Sequence, residues 1–178
     1  MELTTNRLLL REFVPDDWPA VLAYQSDGRY LRYTRWDARK PEDVRQMVEQ
    51  FVAQQLVGPR VEFQVAIVLR GTQELIGNCG IRKARADAHE AELGYEIAPE
   101  HWGRGYATEA ARAMVEFGFG TLGLHRIAAW CVAENAGSAR VLEKIGMRRE
   151  GVLREKEWMR DRWWDTVVFG MLETEWRG

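Results

Sequence analysis

The 178-residue sequence has little of what a secreted or membrane-spanning protein needs. Its two cysteines, Cys79 and Cys131, are too few for a disulfide framework. The longest stretches without Asp, Glu, Lys or Arg are nine residues, about half of the ~18 that a membrane-spanning helix requires. The first residues lack the basic region and apolar run of a secretory signal. We therefore expect a cytoplasmic protein with reduced thiols and no membrane partner.

An excess of charge of one sign is also missing. The 25 Lys and Arg residues nearly balance the 27 Asp and Glu residues, which gives a net charge of −2. Without a strong positive field, direct binding to nucleic acid is not expected. The three histidines, His89, His101 and His125, stand apart from one another and from the cysteines. This spacing does not suit a metal site, so we expect no metal cofactor.

The hydrophobic pattern alternates between strand and helix periods, with no repeat, low-complexity tract or linker. It predicts one α/β domain over residues 1–178, with a mixed sheet of about seven strands and about four helices. Short turns between the central strands favour an antiparallel meander there, and a strand-helix-strand unit follows it. The predicted strands are 7–13, 62–69, 74–83, 91–97, 127–132, 151–159 and 166–172, and the helices begin near residues 15, 41, 106 and 136.

One glycine motif matches a dinucleotide-binding pattern in letters only. Residues 118–123 read Gly-Phe-Gly-Thr-Leu-Gly, the order of the G-x-G-x-x-G fingerprint. That fingerprint must follow a strand and open a helix, so that the phosphates meet the helix N-terminus. This copy leaves a predicted helix and enters a strand, so we interpret its glycines as a helix stop.

A second glycine motif has the required order of elements. The predicted strand 91–97 leads into a loop that contains Gly103, Arg104 and Gly105, and a long helix follows. Small residues in such a loop let the backbone approach a diphosphate, and the free N–H groups of the first helical turn can bind its charge. A tight turn explains the same glycines, and this loop alone does not decide between the two.

A second junction between strand and helix carries a resemblance. Residues 102–110 read Trp-Gly-Arg-Gly-Tyr-Ala-Thr-Glu-Ala, Asn135 and Ser138 follow about thirty residues later, and residues 143–147 read Glu-Lys-Ile-Gly-Met. These motifs resemble the GNAT N-acetyltransferases and, within them, the RimJ/RimL-type branch, whose best-known members acetylate the N-terminal amine of ribosomal proteins. The opening residues 6–11 and the closing residues 164–176 are similar too, so the resemblance covers nearly the whole chain.

The resemblance implies a GNAT fold with a splayed parallel pair of strands, 91–97 and 127–132, in the middle of the sheet. It implies acetyl-CoA as cosubstrate, with the pantetheine arm between these strands and the pyrophosphate on the glycine loop. Asn135 would lie beside the same arm, although Asn before a helix is also a common N-cap. The implied cofactor-binding residues are Ile97, Ala98, Gly103, Arg104, Gly105, Tyr106, Ala107, Thr108, Asn135 and Ser138.

Amine acetylation needs a base for the amine and a partner for the departing thiolate. Glu92 and Glu96 lie on one face of the predicted strand, about 13 Å apart. The resemblance favours Glu92 as the base, with Glu96 in reserve and an ion pair as the structural alternative for Glu92. Many relatives have a tyrosine acid seven residues after the asparagine, but this chain has Leu142 there. Ser138 is the nearest alternative acid.

The sequence indicates the acceptor of the acetyl group less directly than it indicates the cofactor. The resemblance implies a protein N-terminal α-amine, and a small amine such as a polyamine, amino acid or aminoglycoside is the alternative. A catalytically silent acyl-CoA-binding module and an RNA-binding module that uses residues 29–36 are rival classes. The aromatic and basic residues of that segment fit a substrate groove or a solvated loop. The tryptophan-rich tail hints at a homodimer.

Overall fold

The computed structural model describes residues 1–176 and contains one eight-stranded sheet with helices on both faces. The strand order is β1-β2-β3-β4-β5-β6-β8-β7. The strands are β1 (Glu2–Thr4), β2 (Leu8–Glu12), β3 (Glu62–Leu69), β4 (Leu75–Lys83), β5 (Glu90–Ile97), β6 (Arg126–Val132), β7 (Arg148–Met159) and β8 (Arg162–Leu172). The helices are α1 (Trp18–Gln25), α2 (Gly28–Leu31), α3 (Pro41–Gln54), α4 (Tyr106–Gly120) and α5 (Ala136–Lys144).

The sheet is mixed, as the sequence pattern predicts. Strands β1 to β5 pair in chain order and antiparallel, which confirms the central meander. Strand β6 pairs parallel with β5 on one side and antiparallel with β8 on the other. The parallel pairing of β5 with β6 confirms the strand-helix-strand unit, in which α4 is the crossover.

The counts of about seven strands and about four helices were each one too low. The missed elements are β1, a strand of three residues, and α2, a single helical turn of four residues. Segments this short cover at most about one and a half repeats of a hydrophobic period, so pattern alone does not reveal them. The tail strands also begin earlier than predicted, at Arg148 and Arg162.

Two cores lie on opposite faces of the sheet. Helices α4 and α5 cover one face, where Ala110, Met114 and Leu142 pack on the buried side chains of β3 to β6 and β8. Helices α1 and α3 cover the other face through Val21, Val44 and their neighbours. Within α4, a β-carbon on Gly118 would lie 2.8 Å from the Ile127 side chain. The glycine motif at 118–123 thus lies at the end of a helix packed on the sheet.

The three tryptophans of the C-terminal hairpin differ in solvent exposure. Trp164 is buried, whereas Trp158 and Trp163 are more than half exposed and stack edge to face with ring centroids 5.2 Å apart. The hairpin turn has left-handed backbone at Arg160 and Asp161.

No helix within residues 1–176 combines the length and the apolar character needed to cross a membrane. No metal-ligand-like group of three His, Cys, Asp or Glu side chains occurs in that range either.

The space around Gly77 shows how closely β4 and β5 pack. A β-carbon at this position would collide with the Glu96 carbonyl oxygen and lie 3.0 Å from the Ile97 Cα. Both contacts are main-chain atoms, so the strands must shift to admit it. We expect Gly77→Ala to lower the free energy of unfolding by about 1–3 kcal/mol, measured by urea denaturation.

Gly71→Ala is the matched control, because a β-carbon at Gly71 meets no atom within 4 Å. It should change the free energy of unfolding by less than about 0.5 kcal/mol. Equal stability of the two variants would contradict the close packing of β4 against β5.

Candidate active site

The site is a gap in the middle of the sheet. Strands β5 and β6 pair only over Glu90–Glu92 and Arg126–Ala128. Beyond these three residue pairs both strands continue, β5 to Ile97 and β6 to Val132. Each stays paired along its outer edge, β5 with β4 and β6 with β8. The two strands therefore diverge, and their facing edges have no partner strand among residues 1–176.

The backbone of β5 shows which groups face this gap. The N–H of Ala98 donates to the Ile76 carbonyl oxygen at 2.7 Å, and the Ala98 carbonyl accepts from the His101 N–H at 2.9 Å. Because successive residues of a strand direct their backbone groups to opposite edges, Tyr95 and Ile97 direct theirs toward the gap. Ala98 has internal partners for both backbone groups, so its pairing with the pantetheine arm stays a prediction that this geometry does not favour.

Trp102 binds the last residue of β5 on the strand edge that faces the gap. Its indole Nε1 donates to the Ile97 carbonyl oxygen at 2.7 Å. The bond ties the glycine loop to the last residue of β5, so the loop starts at a fixed place above the gap. One of the backbone groups of Ile97 expected to pair with the pantetheine arm thus already has an internal partner.

The glycine loop has the conformation of an anion cradle. Gly103 and Gly105 have φ angles of 75° and 81°, in the left-handed region that disfavours other residues. Gly105 is the N-cap of α4, and no side chain caps the helix. The first-turn N–H groups of Tyr106, Ala107 and Thr108 therefore point out of the helix end without an intrahelical acceptor. A diphosphate matches these donors and the positive end of the helix dipole.

Arg7 supports the cradle, and sequence reasoning did not assign it a role. Its guanidinium donates to the Arg104 carbonyl at 2.9 Å, pairs with the Glu109 carboxylate at 2.7 Å and lies 4.4 Å from the centroid of the Tyr106 ring. Burial raises the pKa of Glu109, but hydrogen bonds from Thr5 and Arg7 outweigh it and the pKa is lowered. In the sequence, the only indication of this role was that Arg7 lies within residues 6–11, the opening segment that resembles the family.

The junction of β6 with α5 places Ser138 between the diverging strands. Asn135 caps the helix, because its Oδ1 accepts from the Ser138 N–H at 3.1 Å. The hydroxyl of Tyr95 on β5 lies 2.9 Å from both Oγ and the carbonyl oxygen of Ser138. Burial raises the pKa of the Cys131 thiol on β6, and Ser138 opposes that effect. Leu142 is buried in the core and takes no part.

The two candidate bases occupy different surroundings. Glu92 lies where β5 and β6 are still paired, and its half-exposed carboxylate is 3.5 Å from the Arg82 guanidinium. Glu96 lies four residues farther along, beside the open gap. Its Oε2 accepts from the Tyr24 hydroxyl at 3.1 Å, from Gln25 Nε2 at 2.9 Å and from Asn78 Nδ2 at 2.9 Å.

The aromatic and basic segment 29–36 is held against the rest of the protein. Tyr33 donates to the Glu134 carbonyl at 3.1 Å and packs edge to face on Trp164. Arg35 pairs with the buried carboxylate of Glu157. The segment thus spans from the α1/α2 side to the C-terminal hairpin, on the sheet face that carries Glu96.

The family model described as an acetyltransferase (GNAT) domain matches residues 7–148. The chain belongs to the GNAT acetyltransferase family. It is 39% identical to the uncharacterized N-acetyltransferase YnaD of Bacillus subtilis, over 99% of each chain. The solved structure of a GNAT-family acetyltransferase from Bacillus anthracis is 36% identical, with a TM-score of 0.87, and covers 98% of this chain and 100% of that one.

As a GNAT N-acetyltransferase, the protein catalyses acetyl transfer, and the family uses acetyl-CoA. The uncapped amides of the glycine loop and the open strand edges fit such a cofactor. Two weaker relatives are named for different acceptors. The ribosomal protein uS5 alanine N-acetyltransferase of Escherichia coli is 28% identical over 58% of this chain and 54% of that one. The spermidine N(1)-acetyltransferase of Vibrio cholerae is 28% identical over 61% and 63%.

The cradle can be tested with two variants that differ only in charge. Asp and Asn both tolerate the left-handed backbone of Gly105 better than other side chains do, and they have the same shape. Only Gly105→Asp brings a negative charge against the pyrophosphate. We expect it to bind acetyl-CoA at least about tenfold more weakly than Gly105→Asn, measured by titration calorimetry. Equal affinities of the two variants would refute the cradle.

Proposed function

We propose that the enzyme transfers the acetyl group of acetyl-CoA to the N-terminal α-amine of a protein, as in the RimJ/RimL-type branch. The observation that carries the proposal is a carboxylate, Glu96, fixed beside the open part of the β5–β6 gap. The relative named for a ribosomal protein supports this acceptor class. An α-amine also titrates near 8, against about 10.4 for lysine, so it loses its proton more readily at neutral pH.

Glu96, with Glu92 as the alternative, is our proposed base. Three donors bind Oε2 of Glu96 and fix the carboxylate in place. The Tyr30 phenol is also near this carboxylate, because Glu96 is among the causes that raise the pKa of Tyr30. Oε1 of Glu96 accepts none of the three hydrogen bonds above and would take a proton from an ammonium group, directly or through water. Glu92 lies at the closed base of the gap, so an amine that meets the thioester in the open part is closer to Glu96.

Ser138 and Asn135 are proposed to serve the cofactor side. The cosubstrate supplies an activated acetyl group as a thioester. The free N–H and carbonyl groups of Tyr95 and the N–H of Ile97 would bind the pantetheine amides, as an added strand would. Asn135 orients the first turn of α5, and its Nδ2 group has no partner within the described residues. Ser138 would hydrogen-bond the sulfur.

A small amine is the second candidate acceptor, and one observation favours it. The segment 29–36 is fastened to the C-terminal hairpin across the face that carries Glu96. Arg160 of the hairpin adds to this attachment, because its guanidinium donates hydrogen bonds to the Leu31 and Trp36 carbonyl oxygens. A slender molecule such as a polyamine needs less room beside this attached segment than a folded protein does. The relative named for spermidine is consistent with that reading.

The assignment of the base can be tested by comparing Glu96→Gln with Glu92→Gln. Each substitution removes one charge and keeps the shape of the side chain. We expect Glu96→Gln to lower kcat by about 100-fold at a neutral pH, because the ammonium group loses its proton acceptor. Glu92→Gln should stay within about threefold of the unmodified enzyme. The reverse order would make Glu92 the base.

The acceptor class can be tested by thiol release from acetyl-CoA with two pools of amines. One pool contains short peptides with free N-termini, and the other contains polyamines, amino acids and aminoglycosides. We expect release with the peptides, and the same peptides with a blocked N-terminus are the control. Release with the small amines alone would overturn the protein acceptor in favour of the second candidate. Silence in both pools, with acetyl-CoA still bound, would indicate an acyl-CoA-binding module.

A further inference from the structure

The hydroxyl of Tyr95 spans from β5 to the first turn of α5, beside the open part of the gap. Tyr95 belongs to β5, beyond the last residue pair with β6. Its hydroxyl reaches α5, where it lies 2.9 Å from Ser138 Oγ and 2.9 Å from the Ser138 carbonyl oxygen. Ser138 lies in the first turn of α5, which begins where β6 ends. The Tyr95–Ser138 contact therefore links β5 to the element that follows β6.

The phenol acts here as a hydrogen-bond donor and not as an acid. Burial is the main cause that raises the pKa of Tyr95, and a hydrogen bond with Ser138 opposes it only in part. The group therefore stays protonated through the pH range in which enzymes of this kind work. A tyrosine has a single O–H proton to donate, so that proton goes either to the Ser138 carbonyl oxygen or to Ser138 Oγ.

These two arrangements have different consequences for Ser138. When Tyr95 donates to the carbonyl oxygen, Ser138 can donate back to the phenol oxygen, and its proton is used within the pair. When Tyr95 donates to Oγ, the Ser138 proton is free to point into the gap. A chain of two hydroxyls that ends on an anion is strengthened at each bond. An anion in the gap therefore favours the second arrangement.

We propose that Tyr95 is a positioning residue that turns the Ser138 hydroxyl proton toward the sulfur of the leaving thiolate. The inference rests on the proposed function. As the amine nitrogen bonds to the acetyl carbon, the carbon–sulfur bond breaks and its electron pair stays on the sulfur. The amine reacts in its neutral form, after Glu96 has passed the ammonium proton on to water. The second proton, which the nitrogen loses on forming the amide, then goes to Glu96, and the thiolate keeps the hydrogen bond from Ser138 until water protonates it. The pair supplies what a tyrosine at position 142 would supply, where this chain has the buried Leu142.

The kinetic test is a double-mutant cycle of Tyr95→Phe, Ser138→Ala and the double variant. Tyr95→Phe should lower kcat by about tenfold, the size of one hydrogen bond to a charged group, and leave the KM for acetyl-CoA within about twofold. Because Tyr95 acts through Ser138, the double variant should be no slower than Ser138→Ala alone. A double variant slowed by the product of the two single effects would overturn the inference.

A second readout does not depend on turnover. The thiol of bound CoA can be titrated by the ultraviolet absorbance of its thiolate, after subtraction of the protein alone. A hydrogen bond from Ser138 should hold its pKa below the usual value of about 8.5. Tyr95→Phe and Ser138→Ala should raise it by similar amounts, and the melting temperature of each variant checks its folding.

The two readouts separate this inference from the proposed function. If the titration shifts as expected but the unmodified enzyme acetylates no amine, the proposed function fails and the Tyr95–Ser138 pair stands. If the enzyme is active and neither variant moves the titration, the inference fails and the proposed function stands. Should Tyr95→Phe not fold, Ser138→Ala alone decides: an unchanged thiol pKa would overturn the inference.

Discussion

The site depends on the point at which β5 and β6 stop pairing. Their ladder has three residue pairs, while β5 is paired with β4 over Ala91–Ile97 and β6 with β8 over Arg126–Val132. Hydrogen bonds to β4 and β8 thus hold the two strands apart, and backbone groups of β5 at the middle of the sheet have no partner strand among residues 1–176. Unpaired groups of this kind are costly when buried, and in the proposed function they bind the pantetheine arm as an added strand would. The glycine loop follows directly from the end of the opened strand.

Successive side chains of β5 point to opposite faces of the sheet, so the residues proposed to serve the thiolate and the amine lie on different faces. Tyr95 and Glu96 are neighbours in the chain, so their side chains point to opposite faces. Tyr95 reaches Ser138 on the face covered by α4 and α5, and Glu96 reaches Tyr24 on the face covered by α1 and α3. In the proposed function, the thiolate leaves on one side of the gap and the amine arrives on the other. Two adjacent residues of one strand then serve both partners of the reaction.

The sequence predicted the elements whose pattern is long and the motifs that lie within one element. Strand β5, helix α4 and the glycine loop follow from local order alone. The missed features depend on contacts between distant segments. Arg7 reaches the cradle across about a hundred residues, and its role is visible only in space. The commitment of Ala98 to β4 and the surroundings of Glu96 follow from register, which single-strand periodicity does not set.

Amide hydrogen exchange measures the central claim most directly, because it reports each backbone N–H of β5 separately. On addition of acetyl-CoA, the N–H groups of Tyr95 and Ile97 should exchange more slowly, since they gain acceptors in the gap. The N–H of Glu96, already directed to β4, should change little and serves as the internal reference. Slower exchange at Tyr95 and Ile97 alone would support a ligand bound as an added strand between β5 and β6. Unchanged exchange at both, with acetyl-CoA bound, would contradict it.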